Sequence, residues 1–290
     1  MKLSNFMKGK PLAKKTPLPK AYHNLDFLNG PSARPIRLLS ELLEPQQQLR
    51  QEGVKDTIVF FGSARFKSKL QCSKLLKDLT LKLRKSKRKH ESLQQLIEEA
   101  RADYQMSQYY EDAVQLSKKL TQWTQTLQQP FRFVVCSGGG PGIMEAANKG
   151  AALAKGRSIG FNVSLPFEQF ANPYITPELN FEFHYFFMRK FWFVYLAKAF
   201  VMFPGGFGTM DEFMEVLTLV QTHKLRKKVT ILLYGKDFWS EVLNFDALIK
   251  HRVISPEDLK LFRIVDTPEE AFTHLVKELH SNYPLETASS

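Results

Sequence analysis

Short continuous apolar runs alternate along this chain with longer stretches whose apolar residues recur every three to four positions. The short runs are Thr57–Phe61, Phe131–Cys136, Ser158–Leu165, Phe181–Tyr185, Ala199–Phe203, Val229–Tyr234 and Phe262–Val265. Segments of this length, apolar at nearly every position, suit strands buried on both faces. The longer stretches read as helices. One opens at Ser32-Ala33-Arg34-Pro35 and carries Ile36, Leu38, Leu39, Leu42 and Leu43, with Glu44-Pro45 expected to end it. Others occupy Ile143–Lys155, Phe186–Lys198, the residues after Met210 and those after Asp237. Asp266-Thr267-Pro268-Glu269-Glu270 sets a cap, a proline and an acidic first turn in order, which marks a helix start. Strand-helix alternation of this kind predicts an α/β fold. We expect a Rossmann-like, doubly wound parallel sheet with helices on both faces. Ligands of such sheets bind at the carboxyl ends of the strands.

Three glycine turns fall at those ends, at Gly62, Gly138 and Gly205. The third is the richest. Pro204-Gly205-Gly206-Phe207-Gly208-Thr209 joins a buried strand to a helix that starts Met210-Asp211-Glu212. A glycine turn leading into a helix N-terminus is an anion site, because backbone N–H groups point outward and the helix dipole favours a phosphate. Gly205, Gly206 and Gly208 let the backbone approach a ligand, and Thr209 is placed to cap the helix and bond a phosphate oxygen. Arg189 and Lys190 supply cations from the preceding helix, and Glu212 a carboxylate. Read structurally instead, Arg189 and Glu212 would be a buried ion pair tying two helices. Gly138, Gly139 and Gly140 form the second turn, after a strand and before an alanine-rich helix. No Gly-Lys-Ser/Thr follows, so ATP hydrolysis of the P-loop kind is not expected, and no placed acid marks an NAD ribose site.

Composition adds compartment and partners. The 290 residues are 43% hydrophobic and 24% charged, ordinary for a globular protein. Cys72 and Cys136 are the two cysteines, with no metal spacing, and the histidines are scattered, so neither metal nor cofactor is expected. Met1–Lys20 has no apolar core of a leader, and Arg189, Lys190 and Lys198 interrupt the longest apolar run, which argues against a membrane span. A cytoplasmic location is the expectation. The net charge of +12 is concentrated: six lysines and no acid in residues 1–20, and ten Lys/Arg against Asp78 in 67–89. We read these as a flexible basic tail over 1–25 and a charged helical insert over 67–101. The domain then spans 26–282 with a helical arm at its start, and 283–290 form a loose tail. Without interleaved aromatics the basic tracts do not make a nucleic-acid site, though RNA contact through the insert is the alternative use.

The motif P-G-G-F-G-T-M-D-E, Arg189-Lys190 fifteen residues before Pro204, and Gly138-Gly139-Gly140-Pro141-Gly142-Ile143-Met144-Glu145 together resemble the Lonely Guy family, the cytokinin-activating phosphoribohydrolases once named lysine decarboxylases. The likeness runs from about Phe27 to about Leu279, with a poor fit at Lys67–Arg101. It implies hydrolysis of the N-glycosidic bond of a nucleoside 5′-monophosphate, AMP or N6-substituted AMP, to free base and ribose 5-phosphate. Arg189 and Glu212 would then be catalytic. The glycine turn with Thr209 would hold the 5′-phosphate. Ser63, Glu168 and Thr218 would join the substrate-binding set with Lys190 and Gly138–Gly140, and Met144 and Phe161 would touch the base. The resemblance also implies a homodimer. A non-catalytic nucleotide carrier of the same fold is the alternative. Decarboxylation ranks last, since no lysine motif for pyridoxal phosphate is present.

Overall fold

The computed structural model describes residues 20–85, 91–128, 132–165 and 170–285. The chain divides into two compact units, residues 1–43 and 44–290. In the first, a 3-10 turn at Ala21–His23 and helix α1 (Leu25–Asn29) precede a second 3-10 turn at Pro31–Ala33. Arg37 Nη1 donates to the carbonyls of Leu28 and Gly30 and ties that entry together. Residues 21–25, expected to belong to a flexible tail, are therefore turned and partly helical; residues 1–19 lie outside the described residues.

Helix α2 (Arg34–Gln51) passes through Pro45 instead of ending there. Proline removes one intrahelical bond, yet Pro45 is buried, and the helix closes eight residues later at Gly53. Gly53 takes φ +68°, with Gly53 N–H donating to Arg50 O and Val54 N–H to Leu49 O, a left-handed helix end.

Among the described residues the second unit holds seven strands. They are β1 (Thr57–Phe61), β2 (Val134–Ser137), β3 (Ser158–Val163), β4 (Asn180–Phe183), β5 (Ala197–Met202), β6 (Thr230–Tyr234) and β7 (Arg263–Val265). All pair in parallel, in the order β4-β3-β2-β1-β5-β6-β7. Each lies within a residue or a few of the apolar run that predicted it. The connecting helices are α3 (Lys69–Lys85), α4 (Glu91–Thr124), α5 (Ile143–Leu153), α6 (Phe186–Leu196), α7 (Phe207–Gln221), α8 (Lys236–Val242), α9 (Phe245–Lys250) and α10 (Pro268–Asn282).

Period-two alternation in β1 decides the two faces. Ile58 and Phe60 pack with Leu116 and Leu120 of α4, Ala147 of α5 and Leu275 of α10. Phe61 points the other way, its ring 4.8 Å from Phe193 of α6 and 6.3 Å from Phe200 of β5. On that second side Phe213 of α7 meets Trp239 of α8. The sheet is thus doubly wound, as the alternation of runs predicted. Small side chains bring α4 and α5 close enough for Ser117 Oγ to donate to Ala147 O at 2.5 Å.

The charged stretch 67–101 is helical, as expected: it supplies α3 and the start of α4, the 34-residue crossover helix, and α3 packs on α4. Buried Cys72 of α3 sits 3.5 Å from Asp103 O of α4. The tail after 282 is held, not loose, as far as Leu285. Tyr283 and Leu285 pack on the core, Arg132 Nη1 donates to Pro284 O, and Lys198 Nζ lies 4.9 Å from the centre of the Tyr283 ring.

The start of α10 follows its sequence signature. Thr267 Oγ1 accepts from Glu270 N at 3.1 Å. Thr267→Ala is expected to lower stability by about 1 kcal/mol, read by urea unfolding, with Thr267→Ser near wild type.

Candidate functional site

In this strand order β1 and β5 are neighbours, and the chain proceeds from them to opposite edges of the sheet. Their carboxyl ends are therefore the topological switch point, where doubly wound sheets open a crevice. Phe61 and Met202 are level in the register, so the turns that follow them meet. Ser63 N–H donates to Pro204 O at 2.9 Å, and Ile143 N–H donates to Ser63 O at 3.0 Å. The three glycine turns are thus joined by backbone hydrogen bonds. Gly142 takes φ +71°, and a methyl there would lie 2.2 Å from Ser63 O.

Over this junction lies a cavity of about 740 Å³. Its lining includes Ser63 and Arg65 of the β1 turn, Met144 of α5, Arg189 of α6, and Gly205 through Glu212 at the start of α7. Helix α7 begins at Phe207 with Gly206 as its N-cap and no side-chain cap. The first bond of its ladder runs from Met210 N–H to Gly206 O. The N–H groups of Phe207, Gly208 and Thr209 precede that bond, at the positive end of the dipole. Thr209 is therefore in the first turn, not the cap the sequence suggested. Its Oγ1 packs over Gly205, where a methyl would come within 2.1 Å. Gly206 and Gly208 differ: a methyl on either meets nothing within 4 Å, and neither has positive φ.

Glu212 is 7% exposed. Burial holds its carboxyl up at about 7, against the pull of Lys190 and Arg189. Arg189 Nε donates to Phe161 O at 2.6 Å, and Nη2 lies 3.4 Å from Gly138 O. Burial lowers its pKa, with Glu212 opposing. The structural alternative of an Arg189–Glu212 ion pair is not what forms; among the described residues no carboxylate lies within ion-pair distance of Arg189. Lys190 is the paired cation. Its Nζ reaches Asp211 at 2.7 Å and Glu215 at 2.8 Å. Burial works against its charge, but those two bonds leave its pKa raised. Lys190 thus clamps α6 to α7 and does not line the cavity, where a ligand role would require it.

The other expected residues divide. Ser63 and Met144 line the cavity with Gly205, Gly206, Gly208 and Thr209. Gly138 stands behind Arg189, since a methyl there would lie 2.4 Å from Nη2. Gly139 and Gly140 are buried in the turn, and Asn172 takes both their carbonyls. Phe161 is a core ring between Phe181, Phe183 and Phe193, and contributes its carbonyl instead of its face. Thr218 is exposed three turns along α7, its Oγ1 bonded back to Met214 O, away from the cavity. Glu168 lies outside the described residues. Phe186, Phe207, Phe238 and Val242 add an apolar wall that the sequence reading did not select. They come from three helices with no shared motif.

A family model described as "Possible lysine decarboxylase" matches residues 144–275. A probable cytokinin riboside 5′-monophosphate phosphoribohydrolase of Oryza sativa subsp. japonica is 30% identical over 80 residues, 27% of this chain and 32% of that protein. A cytokinin riboside 5′-monophosphate phosphoribohydrolase of Arabidopsis thaliana is 35% identical over 89 residues, 30% of this chain and 39% of that protein. The matches thus span well under half the length of these relatives. Among solved structures, the molybdenum cofactor carrier protein of Chlamydomonas reinhardtii is 16% identical, with 78% of this chain and 99% of that chain covered and a TM-score of 0.44. The molybdenum cofactor binding protein of Rippkaea orientalis is 18% identical, covering 59% of this chain and 88% of that chain, with a TM-score of 0.41.

Proposed function

We propose that this chain is a member of the Lonely Guy family and hydrolyses the N-glycosidic bond of a nucleoside 5′-monophosphate, AMP or an N6-substituted AMP, a reading supported by the family model and the two phosphoribohydrolases it is similar to. The observation that carries the reading is a buried carboxyl, Glu212, one turn inside an uncapped helix N-terminus that opens on the cavity. The helix end takes the 5′-phosphate. Gly206 and Gly208 support this, since neither packing nor backbone conformation demands glycine at either position, whereas a closely approaching ligand does. Phe207 and Glu212 are about 7.5 Å apart along the helix axis, comparable to the reach from a 5′-phosphate across the ribose to C1′. Arg189, bound to carbonyls, keeps its charge available to the anion.

In the reaction the C1′–N bond breaks and its electron pair leaves on the base. Water oxygen bonds to C1′, and one water proton ends on the base nitrogen. Ionised Glu212 stabilises the positive ribosyl centre and relays that proton. A homodimer in the cytoplasm belongs to the same reading. Exposed Phe186, Phe187, Phe191 and Tyr195 on α6, with Phe207 96% exposed beside the cavity, support a second copy against this face.

The test is chromatographic release of free base from AMP, other nucleoside monophosphates, N6-isopentenyl-AMP and adenosine. We expect AMP or its N6-substituted form to be cleaved at least 10²-fold faster than adenosine, because the phosphate site is empty with the nucleoside. No release from any nucleotide by folded protein would overturn the hydrolase reading and favour a carrier.

A further inference from the structure

Among the described residues the hydrogen bonds of Arg189 go to main-chain carbonyls, with its guanidinium 5.1 Å from the centre of the Phe193 ring, so whatever aims those carbonyls helps to aim the cation. Asn172, in the segment between β3 and β4, is 6% exposed and not on the cavity. Its Nδ2 donates to Gly139 O at 3.0 Å, Gly140 O at 3.2 Å and Asn148 Oδ1 at 2.9 Å. Its N–H donates to Gly139 O at 2.8 Å, and its Oδ1 accepts from Tyr174 N at 3.2 Å. Asn148 Oδ1 also accepts from Ser137 Oγ at 2.6 Å, and Ser137 Oγ accepts from Gly139 N–H at 3.0 Å. Asn148 is anchored in turn by donating to Ile159 O at 3.2 Å.

A peptide unit is planar and trans, so its N–H and C=O point to opposite sides. Holding Gly139 N–H on Ser137 therefore directs Gly138 C=O the other way, which is where Arg189 Nη2 stands. Asn172 fixes the next peptide by its carbonyl and steadies the Asn148–Ser137 pair that fixes the first. Gly139 takes φ +74°, a conformation that needs such bracing. We propose that Asn172 is a positioning residue for Arg189, acting through the peptide planes of the Gly138–Pro141 turn. Its consequence for turnover rests on the nucleotide-hydrolysis reading; its geometry does not.

A loop staple of no further consequence would change stability alone. A positioning residue changes the field at Glu212. That carboxyl is faced by Arg189 and Lys190 from α6, by Asp211 and Glu215 on its own helix, and shares its cavity with Arg65 of the β1 turn. Lys190 stays clamped to Asp211 and Glu215 in an Asn172 variant, so a change reports on Arg189. The experiment is a pH titration of the Glu212 side-chain carboxyl by carbon-13 NMR in the ligand-free full chain, with Glu212→Gln assigning the signal. In Asn172→Ala the midpoint is expected to move to higher pH by about half a unit to one unit, because Arg189 favours the ionised form. Asn172→Ser, which keeps one donor, is expected to move it less, and is the variant read if Asn172→Ala does not fold. An unchanged midpoint in the folded variant overturns the proposal, whatever the melting temperature does. Base release by Asn172→Ala should fall roughly 10- to 100-fold in kcat/KM. If wild type releases no base, the hydrolase reading fails while the titration still decides the role of Asn172.

Discussion

Glu212→Gln is expected to abolish base release, by roughly 10³-fold or more in kcat, and to make the protein more stable above pH 7. The two effects have one cause. Glu212 is 7% exposed, and burial raises its carboxyl to about 7 from an ordinary 4.5. A raised folded-state value means that the folded protein binds the proton more tightly than the unfolded chain does. The stability this contributes is fully present below about pH 4.5 and is lost as pH rises through about 7. Across pH 5 to 8 the loss is roughly 2–3 kcal/mol. Glutamine keeps the shape and removes the charge, so Glu212→Gln should escape the loss. Urea unfolding at pH 5 and pH 8 should show the gap between variant and wild type widening by that amount. A gap that stays constant would mean that Glu212 is not buried as an acid. Catalysis runs the other way. The ionised carboxylate does the chemistry, so wild-type base release should rise from pH 6 to 8 and level off above the Glu212 value.

Gly142→Ala and Gly208→Ala are expected to separate fold from function. At Gly142 the backbone is left-handed, and a methyl would stand 2.2 Å from Ser63 O and 2.7 Å from the Ala64 backbone. Those atoms are main chain and cannot rotate away. The clash also opens the Ile143 N–H to Ser63 O bond that joins two of the turns. We expect a loss of roughly 3–5 kcal/mol in urea unfolding. At Gly208 a methyl meets nothing, and alanine suits a helix better than glycine. Stability should hold or rise slightly, while kcat/KM for the nucleotide falls roughly 10²-fold, because the methyl occupies the space of the ligand. Wild-type kcat/KM in folded Gly208→Ala would remove the phosphate from this helix end.

Much of this was legible along the chain, for a local reason. A buried parallel strand must be apolar at nearly every position, so all seven strands show as short runs. A glycine turn into a helix is local too, and Gly205, Gly206 and Gly208 could be placed without knowing what surrounds them. The helix start at Thr267 needed only its own four residues. Errors of boundary arose where packing overrode a local signal: Pro45 sits inside α2, and Tyr283 to Leu285 are held by Arg132 and Lys198 from far along the chain.

The sequence by itself determined the strands, the three turns and the residue types that carry charge near them. Only the tertiary structure decided which charges are free. Lys190 and Arg189 are neighbours in sequence, but the helix turns them to different partners, one to Asp211 and Glu215, the other to two carbonyls beside the cavity. Glu212 and Asp211 likewise part company, one buried and raised to about 7, the other exposed and paired. Asn172 has no motif at all, because the partners of its Nδ2 lie 24 to 33 residues away and meet it only once β2 and β3 are paired. Burial and partnership are properties of neighbours in space, and the strand order that makes those neighbours is not written in any one segment.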